Sequence, residues 1–473
     1  MGHPACPCIG AAAPHISPMS DRTSSRVPSG RLARFGAFGR LAGGLAGGVV
    51  AEGARRIAAG ERPRMGDLVL TPANATRVAD QLSHLRGAAM KLGQMISMDG
   101  GDFLPPELTA ILARLRDRAN HMPPRQLDQV LAAEWGKGWR ARFAHFQAHP
   151  IAAASIGQVH RARLPDGREV AIKVQYPGVA ESIDADVDNV ATLLRVSGLL
   201  PREIDVGPLL VEAKRQLHEE ADYAREGAMM TRYAALVADL PDLVVPTFVP
   251  ELTTGRVLAM SFVEGVPVET LAEAPQEVRD RAMTTLIGLV LRELFDWGVM
   301  QTDPNFANYR WQPETQKLVL LDFGAARAVP AATVDGYRRL LAAGLSGDKA
   351  AVTREAVAAG FLGEAAVLRH AATVDRMLDV ILAELNRPER FDFGDRAFIG
   401  TLREQGMAMA ADRATWHVPP VETLFVQRKI SGTALLATRL KAKVAARDMI
   451  ADALADHGKA EHAGAARVVP ATS

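Results

Sequence analysis

An α+β fold of two lobes, preceded by a helical extension, is predicted by three features of the chain. The first is an alternating segment, Glu169-Val170-Ala171-Ile172-Lys173-Val174, joined by Asp166-Gly167 to an upstream strand over Val159–Leu164, which reads as a β-hairpin. The second is a loop, Gln301-Thr302-Asp303-Pro304-Asn305-Phe306-Ala307-Asn308, followed by the apolar run Lys317–Leu321 and then Asp322-Phe323-Gly324. The third is an amphipathic helix from Asn74 to Ser97, well ahead of the hairpin, with Val78, Leu82, Leu85, Ala89, Leu92 and Ile96 on one stripe.

The elements follow in order. Along that helix a different stripe carries Gly87, Lys91, Gln94 and Met98, and a solvated face is the ordinary reading of such a Lys–Gln pair. Pro105-Pro106 precedes a helix over 107–118, and Pro123-Pro124 starts another at its first turn. These segments make an extension over 31–145. A first lobe is expected over 146–265, with helices from Ser182 to Leu200 and from Val206 to about Leu236. Pro201 separates the two, because proline removes a helical donor. Met260–Gly265 reads as a strand joining the lobes, with Glu264 on its surface. A second lobe over 266–455 opens with a helix from Arg281 to Trp297, whose Leu286, Ile287, Val290, Leu294 and Trp297 form a core face. Beyond Ser346 the chain reads as helical to about Leu454, and 456–473 as a disordered tail.

Asp303 with Asn308 five positions on, then a strand, then Asp322-Phe-Gly, is the order phosphoryl transfer requires. In protein kinases the loop Asp receives or orients the acceptor proton, and the Asn and the later Asp hold Mg²⁺. Lys173, in Val-Ala-Ile-Lys, is the residue that grips the α and β phosphates of ATP, and Glu226 is assigned as the carboxylate that orients it. A bilobal protein-kinase-like fold is therefore expected, with Asp303, Lys173 and Glu226 as catalytic candidates and Asn308 and Asp322 as metal ligands. Two departures matter. The phosphate-covering loop reads Ala152-Ala153-Ala154-Ser155-Ile156-Gly157, with alanines where glycine would normally permit close phosphate approach. After Gly324 only Ala325–Pro330 precede a helix, with no Ala-Pro-Glu and no Ser or Thr, so no platform for a peptide substrate is expected.

These residues resemble the UbiB/ADCK family of atypical kinase-like proteins. The carriers of the resemblance are Ala152-Ala153-Ala154-Ser155, the Lys-x-Gly-Gln motif Lys91-Leu92-Gly93-Gln94, and the Glu-x-Asp motif Glu220-Ala221-Asp222. It spans roughly 30–447, and Asn305 matches the mitochondrial coenzyme-Q branch, where many bacterial members carry His. The resemblance implies that the Lys91 helix packs over the cleft mouth, with Lys91 and Gln94 near the nucleotide. It also implies that Glu220 and Asp222 face the nucleotide and Lys91, while Glu219 is surface. It further implies ATP and Mg²⁺ as cofactors, and ATPase activity supporting ubiquinone biosynthesis at a membrane. The rival expectations are a small-molecule or lipid kinase, and an ATP-switched scaffold without catalysis.

Composition is consistent with a large enzyme: 473 residues exceed a single core, and a net charge of +1 supports no nucleic-acid partner. The two cysteines, Cys6 and Cys8, lie in a Pro-, Ser- and Arg-rich segment, 1–30, read as disordered; two ligands make no metal site. Arg22, Arg26, Arg31 and Arg34 give that segment a targeting-peptide character. The glycine-rich run 35–51 is interrupted by Arg40 and too short to span a bilayer, so membrane-surface contact and internal helix packing are both open for it. The resemblance implies as partners a membrane surface or lipid-soluble quinone intermediates and ubiquinone-biosynthesis proteins; a second copy in a homodimer is a further expectation. The expected place is the cytoplasmic face of an inner membrane, peripherally attached, or its matrix face in a mitochondrion.

Overall fold

The computed structural model describes residues 121–154, 156–196, 207–410, 412 and 419–465. The Lys91–Gln94 helix, the glycine-rich run, the cysteines and Ser155 lie outside the described residues.

The first lobe begins earlier than its sequence boundary. Helix α1 (Pro124–Trp135) starts on Pro124 as expected, since proline's missing N–H is one the first turn leaves unbonded anyway. Leu127, Leu131, Trp135, Trp139 and Phe143 all join the core of the small lobe, against Ile156, Val170 and Ile172. Two buried indoles remove roughly 150–250 Å² each from water, on the order of 4–6 kcal/mol apiece in transfer terms. That is too much burial for a detachable extension, so the boundary at 145 cuts through one core. The chain then enters β1 (His145–Phe146), β2 (Ala152–Ala153), β3 (Gly157–Arg163) and β4 (Glu169–Gln175). Gly167, at φ +90°, makes the expected turn between β3 and β4.

Helix α2 (Ile183–Val196) is followed by α3 (Gly207–Ala221) and α4 (Tyr223–Leu236). One continuous helix was expected to Leu236; the chain breaks at Asp222. Its backbone leaves helical geometry (φ −91°, ψ 85°) and its carboxylate accepts from the N–H of Arg225, the side-chain cap that short polar residues favour. Strands β5 (Leu243–Val244), β6 (Val257–Ser261) and β7 (Val266–Pro267) lead into the long helix α5 (Gln276–Phe295). The small-lobe sheet has five strands, ordered β1-β3-β4-β6, with β2 paired to β3. Its Lys173 stands opposite Val159 on β3 and Leu258 on β6.

The large lobe continues with β8 (Val299–Gln301), β9 (Tyr309–Gln312), β10 (Lys317–Leu320) and β11 (Ala326–Ala328). Strand order β5-β10-β9-β7 forms one sheet, and β11 pairs antiparallel with β8 in another. Then come α6 (Ala331–Ser346), α7 (Lys349–Ala358), α8 (Glu364–Arg369), α9 (Ala371–Leu385), β12 (Phe391–Asp392), α10 (Ala397–Ala410), α11 (Val421–Leu440), β13 (Lys443–Val444) and α12 (Ala446–Ala465). The last helix runs to Ala465, past the point at which order was expected to end.

The two lobes are not packed as separate cores. Ala171, Leu258 and Met260 of the small-lobe sheet share one cluster with Tyr223, Met230 and Tyr233 of α4 and with Leu286, Leu318 and Phe323 below. Helix α4 is thus wedged between the lobes, which places Glu226 on its first turn inside the cleft.

Candidate active site

Lys173 is carried on the middle of a strand whose neighbouring side chains are buried, so its position is set by the sheet. Its Nζ lies 2.9 Å from both oxygens of Glu226 and 3.2 Å from Oδ2 of Asp322. Glu226 is fully buried and Asp322 about one-third exposed, so the cluster is sealed behind and open in front. One ammonium facing two carboxylates leaves excess negative charge. Burial pushes the Glu226 carboxyl up to about 7, against the pull of Lys173. Burial would lower the Lys173 pKa, but Asp322 and Glu226 outweigh it and hold it well above its ordinary value. The ring of Tyr223 covers the ammonium at 5.2 Å.

Asp322 leaves β10 as expected, and its Oδ1 accepts from the N–H of Gly324 at 3.0 Å. Asn308 is buried at the end of a short turn, and its carbonyl accepts from Leu321 N–H at 3.0 Å, so the two metal candidates are tied across one backbone bond. Asn308 Nδ2 lies 3.4 Å from the Asp303 carbonyl, a marginal hydrogen bond that closes the loop on itself. Asp303 is half-buried, and Asn305 caps the turn through the Ala307 N–H.

The alanine cover is a tight hairpin. Ala152 and Ala153 pair with Val159 and Gln158, and the Ala154 N–H donates to the Gly157 carbonyl. Extended pairing suits alanine, so no glycine is needed there. Gly157 is the position that must lack a side chain, since a Cβ would sit 2.5 Å from the Val174 carbonyl oxygen and 3.0 Å from the Tyr223 hydroxyl.

The Glu-x-Asp pair divides. Glu220 is half-buried, its backbone near Gly324, and its charge raises the Glu226 pKa. Asp222 is exposed and spends one oxygen on the α4 cap. Glu219 is not surface: it pairs at 2.6 Å with Arg327, a buried residue of β11, beside a second pair from Arg327 to Glu212 at 3.2 Å. The i,i+7 spacing of Glu212 and Glu219 on α3 sets both carboxylates toward one guanidinium. Three further residues escaped the sequence reading. Arg225 donates to the Gly324 carbonyl at 2.7 Å and to the Ala326 carbonyl, tying α4 to the turn after Asp322. Glu293 and Lys429 form a fully buried pair at 3.3 Å beneath the loop. The available signal was a charge inside each apolar stripe, Glu293 between Val290 and Leu294, and Lys429 after Phe425-Val426.

Residues 114–356 match the family model described as the ABC1 atypical kinase-like domain. The chain belongs to the ABC1 atypical kinase-like family. The UbiB/ADCK resemblance read from the sequence is thereby shown. Among ABC1 relatives, the chain is similar to "Atypical kinase coq-8, mitochondrial" of Caenorhabditis elegans, with 39% identity over 91% of this chain and 58% of that protein. It is also similar to "Atypical kinase COQ8, mitochondrial" of Saccharomyces cerevisiae (38% identity, 89% of this chain, 84% of that one). A solved structure it is similar to is that of Rv3197 of Mycobacterium tuberculosis, described as its complex with erythromycin. Its TM-score is 0.55 at 27% identity, over 80% of this chain and 94% of that one. The chain therefore spans somewhat over half of the worm relative's length and most of the yeast one's. It is an atypical kinase-like protein and not a conventional protein kinase. Among the described residues no helix is long and apolar enough to cross a membrane.

Proposed function

We propose that this ABC1 protein binds MgATP in the cleft fronted by Lys173 and Asp322 and transfers or hydrolyses its terminal phosphoryl group in support of coenzyme-Q biosynthesis. The observation that carries the reading is the single cluster formed by Lys173, Glu226 and Asp322, open on one side, with Asn308 hydrogen-bonded to the strand that delivers Asp322.

In this reading Lys173, oriented by Glu226, holds α and β phosphate oxygens. Asp322 and Asn308 would hold Mg²⁺, and an acid plus an amide suit a hard cation that takes its remaining ligands from phosphate and water. When bound, that ion neutralises charge building on the phosphates. Asp303, on the loop that ends in Asn308, would orient the acceptor hydroxyl or an attacking water and take its proton. Lys91, Gln94, Glu220, Asp222 and the cover-loop residues Ala152, Ala153, Ala154 and Ser155 complete the proposed nucleotide surroundings.

A peptide acceptor is disfavoured by the path after Gly324. β11 folds straight back onto β8, beside the loop, and α6 begins at Ala331, so no chain length remains for a docking platform. A lipid-soluble quinone precursor, peripheral attachment to an inner membrane, biosynthetic protein partners and a homodimer belong to the same proposal, guided by the COQ8 relatives.

The test is ADP release with and without quinone precursors, alongside mass spectrometry of quinones after deletion of the gene in its host. Turnover raised by a precursor without phosphorylating it supports the ATPase. A phosphorylated precursor makes the protein a small-molecule kinase. ATP binding with no ADP release leaves the scaffold, and unchanged quinones on deletion overturn the pathway assignment.

A further inference from the structure

A conventional kinase braces its catalytic loop partly with a long activation segment, and this chain has only Ala325–Pro330 in that place. The bracing comes from elsewhere. On helix α11, Phe425, Lys429 and Gly432 recur at four and three, which puts them on one face. Each touches the catalytic apparatus. Phe425 lies under the Arg327 guanidinium of β11, at 4.1 Å. Lys429 donates to the hydroxyl of Tyr309 at 2.8 Å and to the side-chain carbonyl of Gln301 at 3.2 Å. Gln301 and Tyr309 flank the loop 302–308, so one ammonium holds both of its ends. Gly432 faces Pro304, inside the loop: a Cβ there would stand 2.2 Å from the Pro304 Cβ.

The acid that balances Lys429 extends the brace. Glu293 of α5 accepts from the Gln301 backbone N–H at 3.1 Å and from the Tyr233 hydroxyl at 2.8 Å. Tyr233 belongs to α4, the helix that carries Glu226. Glu293 and Lys429 line a small cavity together with Asn308 and Asp322. A buried ion pair is a poor device for stability, because desolvation offsets the attraction; its directional bonds make it a good device for fixing positions.

We infer that the Phe425–Lys429–Gly432 face of α11 is the seat of the catalytic loop, with Lys429 and Glu293 as positioning residues that hold Asp303 and Asn308 in register with Asp322. The inference rests on the phosphoryl-transfer reading for its kinetic consequence, and on geometry alone for the brace itself.

The test uses the full chain as wild type, as the charge-neutral double variant Glu293→Gln with Lys429→Met, as Gly432→Ala, and as the exposed control Lys137→Ala. Three quantities are read: kcat and KM for ATP from ADP release, the denaturant midpoint, and amide exchange over 301–309. The double variant removes both charges together and keeps an acceptor for Gln301 N–H and Tyr233. Its midpoint should therefore stay near wild type. Its KM should stay within about twofold, its kcat should fall at least tenfold, and exchange in the loop should rise selectively. Gly432→Ala is the sharper arm, since its methyl must push Pro304 and the loop aside. It should lower kcat and raise exchange over 301–309 selectively, with a midpoint loss that alanine's helix preference offsets only in part. Wild-type kcat and loop exchange in both variants would overturn the inference, as would a kcat loss that follows a general rise in exchange through the lobe. If the double variant does not fold, Gly432→Ala decides alone. If wild type releases no ADP, the hydrolytic reading falls and loop exchange decides the brace.

Discussion

Two buried lysine–glutamate pairs lie near the metal candidates among the described residues, and they are built differently. Lys173–Glu226 shares its lysine with Asp322, which is partly exposed, so the cluster carries an unbalanced negative charge toward the cleft. Lys429–Glu293 is sealed, with both side chains at 1% exposure or less, and is rounded out by neutral groups: Tyr309, Gln301 and Tyr233. An unbalanced, open cluster is ready for a cation, and for a phosphate that arrives with one. A balanced, closed one has nothing to offer a ligand and instead joins α5, α11, α4 and the loop. Similar chemistry is thus built open in one place and sealed in the other, and solvent access suits the first to the proposed binding and the second to the proposed positioning.

The largest expected effect separates the two pairs by stability. Lys429→Met leaves Glu293 buried without its cation and should cost about 3–5 kcal/mol, seen as a lowered denaturant midpoint. Lys173→Met should cost less, and less at pH 6 than at pH 8, because Glu226, with a pKa already near 7, takes up a proton when its partner is removed. Equal, pH-independent losses in the two variants would break the distinction between an open and a sealed site.

A buried titratable group without an opposite charge is the next case. His160 is buried on β3, between the Gln147 carbonyl and the Gln158 side chain. The Gln158 carbonyl accepts from the Met122 N–H, so its amide N–H₂ faces the ring. Only a neutral ring, donating from Nδ1 and accepting at Nε2, satisfies both neighbours. Burial lowers its pKa to about 4, against an ordinary 6.5. The folded state thus binds fewer protons than the unfolded one over this window. The neutral ring's contribution is fully present above pH 6.5 and lost as pH falls toward 4, on the order of 3 kcal/mol. Unfolding free energies at pH 7 and pH 4.5 for wild type and His160→Gln should show a shallower slope in the variant. Parallel slopes would place the acid sensitivity elsewhere.

The smallest effect concerns the cover hairpin. Ala153→Gly loosens a strand residue that pairs with Gln158, and should change ATP and ADP affinities by a few-fold, on the order of 0.5–1 kcal/mol. Dissociation constants within twofold of wild type for both nucleotides would show that the alanines do not shape the phosphate site.

The cleft was legible in the sequence where its chemistry is local. Asp303 to Asn308, Asp322-Phe-Gly and Val-Ala-Ile-Lys each fit within one loop or strand; in the structure Lys173 meets Glu226 and Asp322, and Asn308 bonds to the backbone just before Asp322. Glu226 was reachable because α4 follows the hairpin in a known order. The Lys429–Glu293 pair was not reachable: its members sit on helices far apart in the chain, and each looked like a misplaced charge on an apolar face. The break at Asp222 was hidden because neither Gly nor Pro marks it; a capping Asp does that work from inside a helical pattern. Glu219 looked like surface until Arg327 arrived from β11, a partner that tertiary folding alone supplies.

Binding of ATP, measured calorimetrically with and without Mg²⁺, tests the central claim most directly when wild type, Asp322→Asn and the Glu293→Gln/Lys429→Met double variant are compared. The open cluster is held to bind and the sealed one to position. Asp322→Asn should therefore fold normally and lose the Mg²⁺-dependent part of ATP affinity, while the double variant keeps it. Undiminished Mg²⁺-dependent binding in Asp322→Asn would contradict the account.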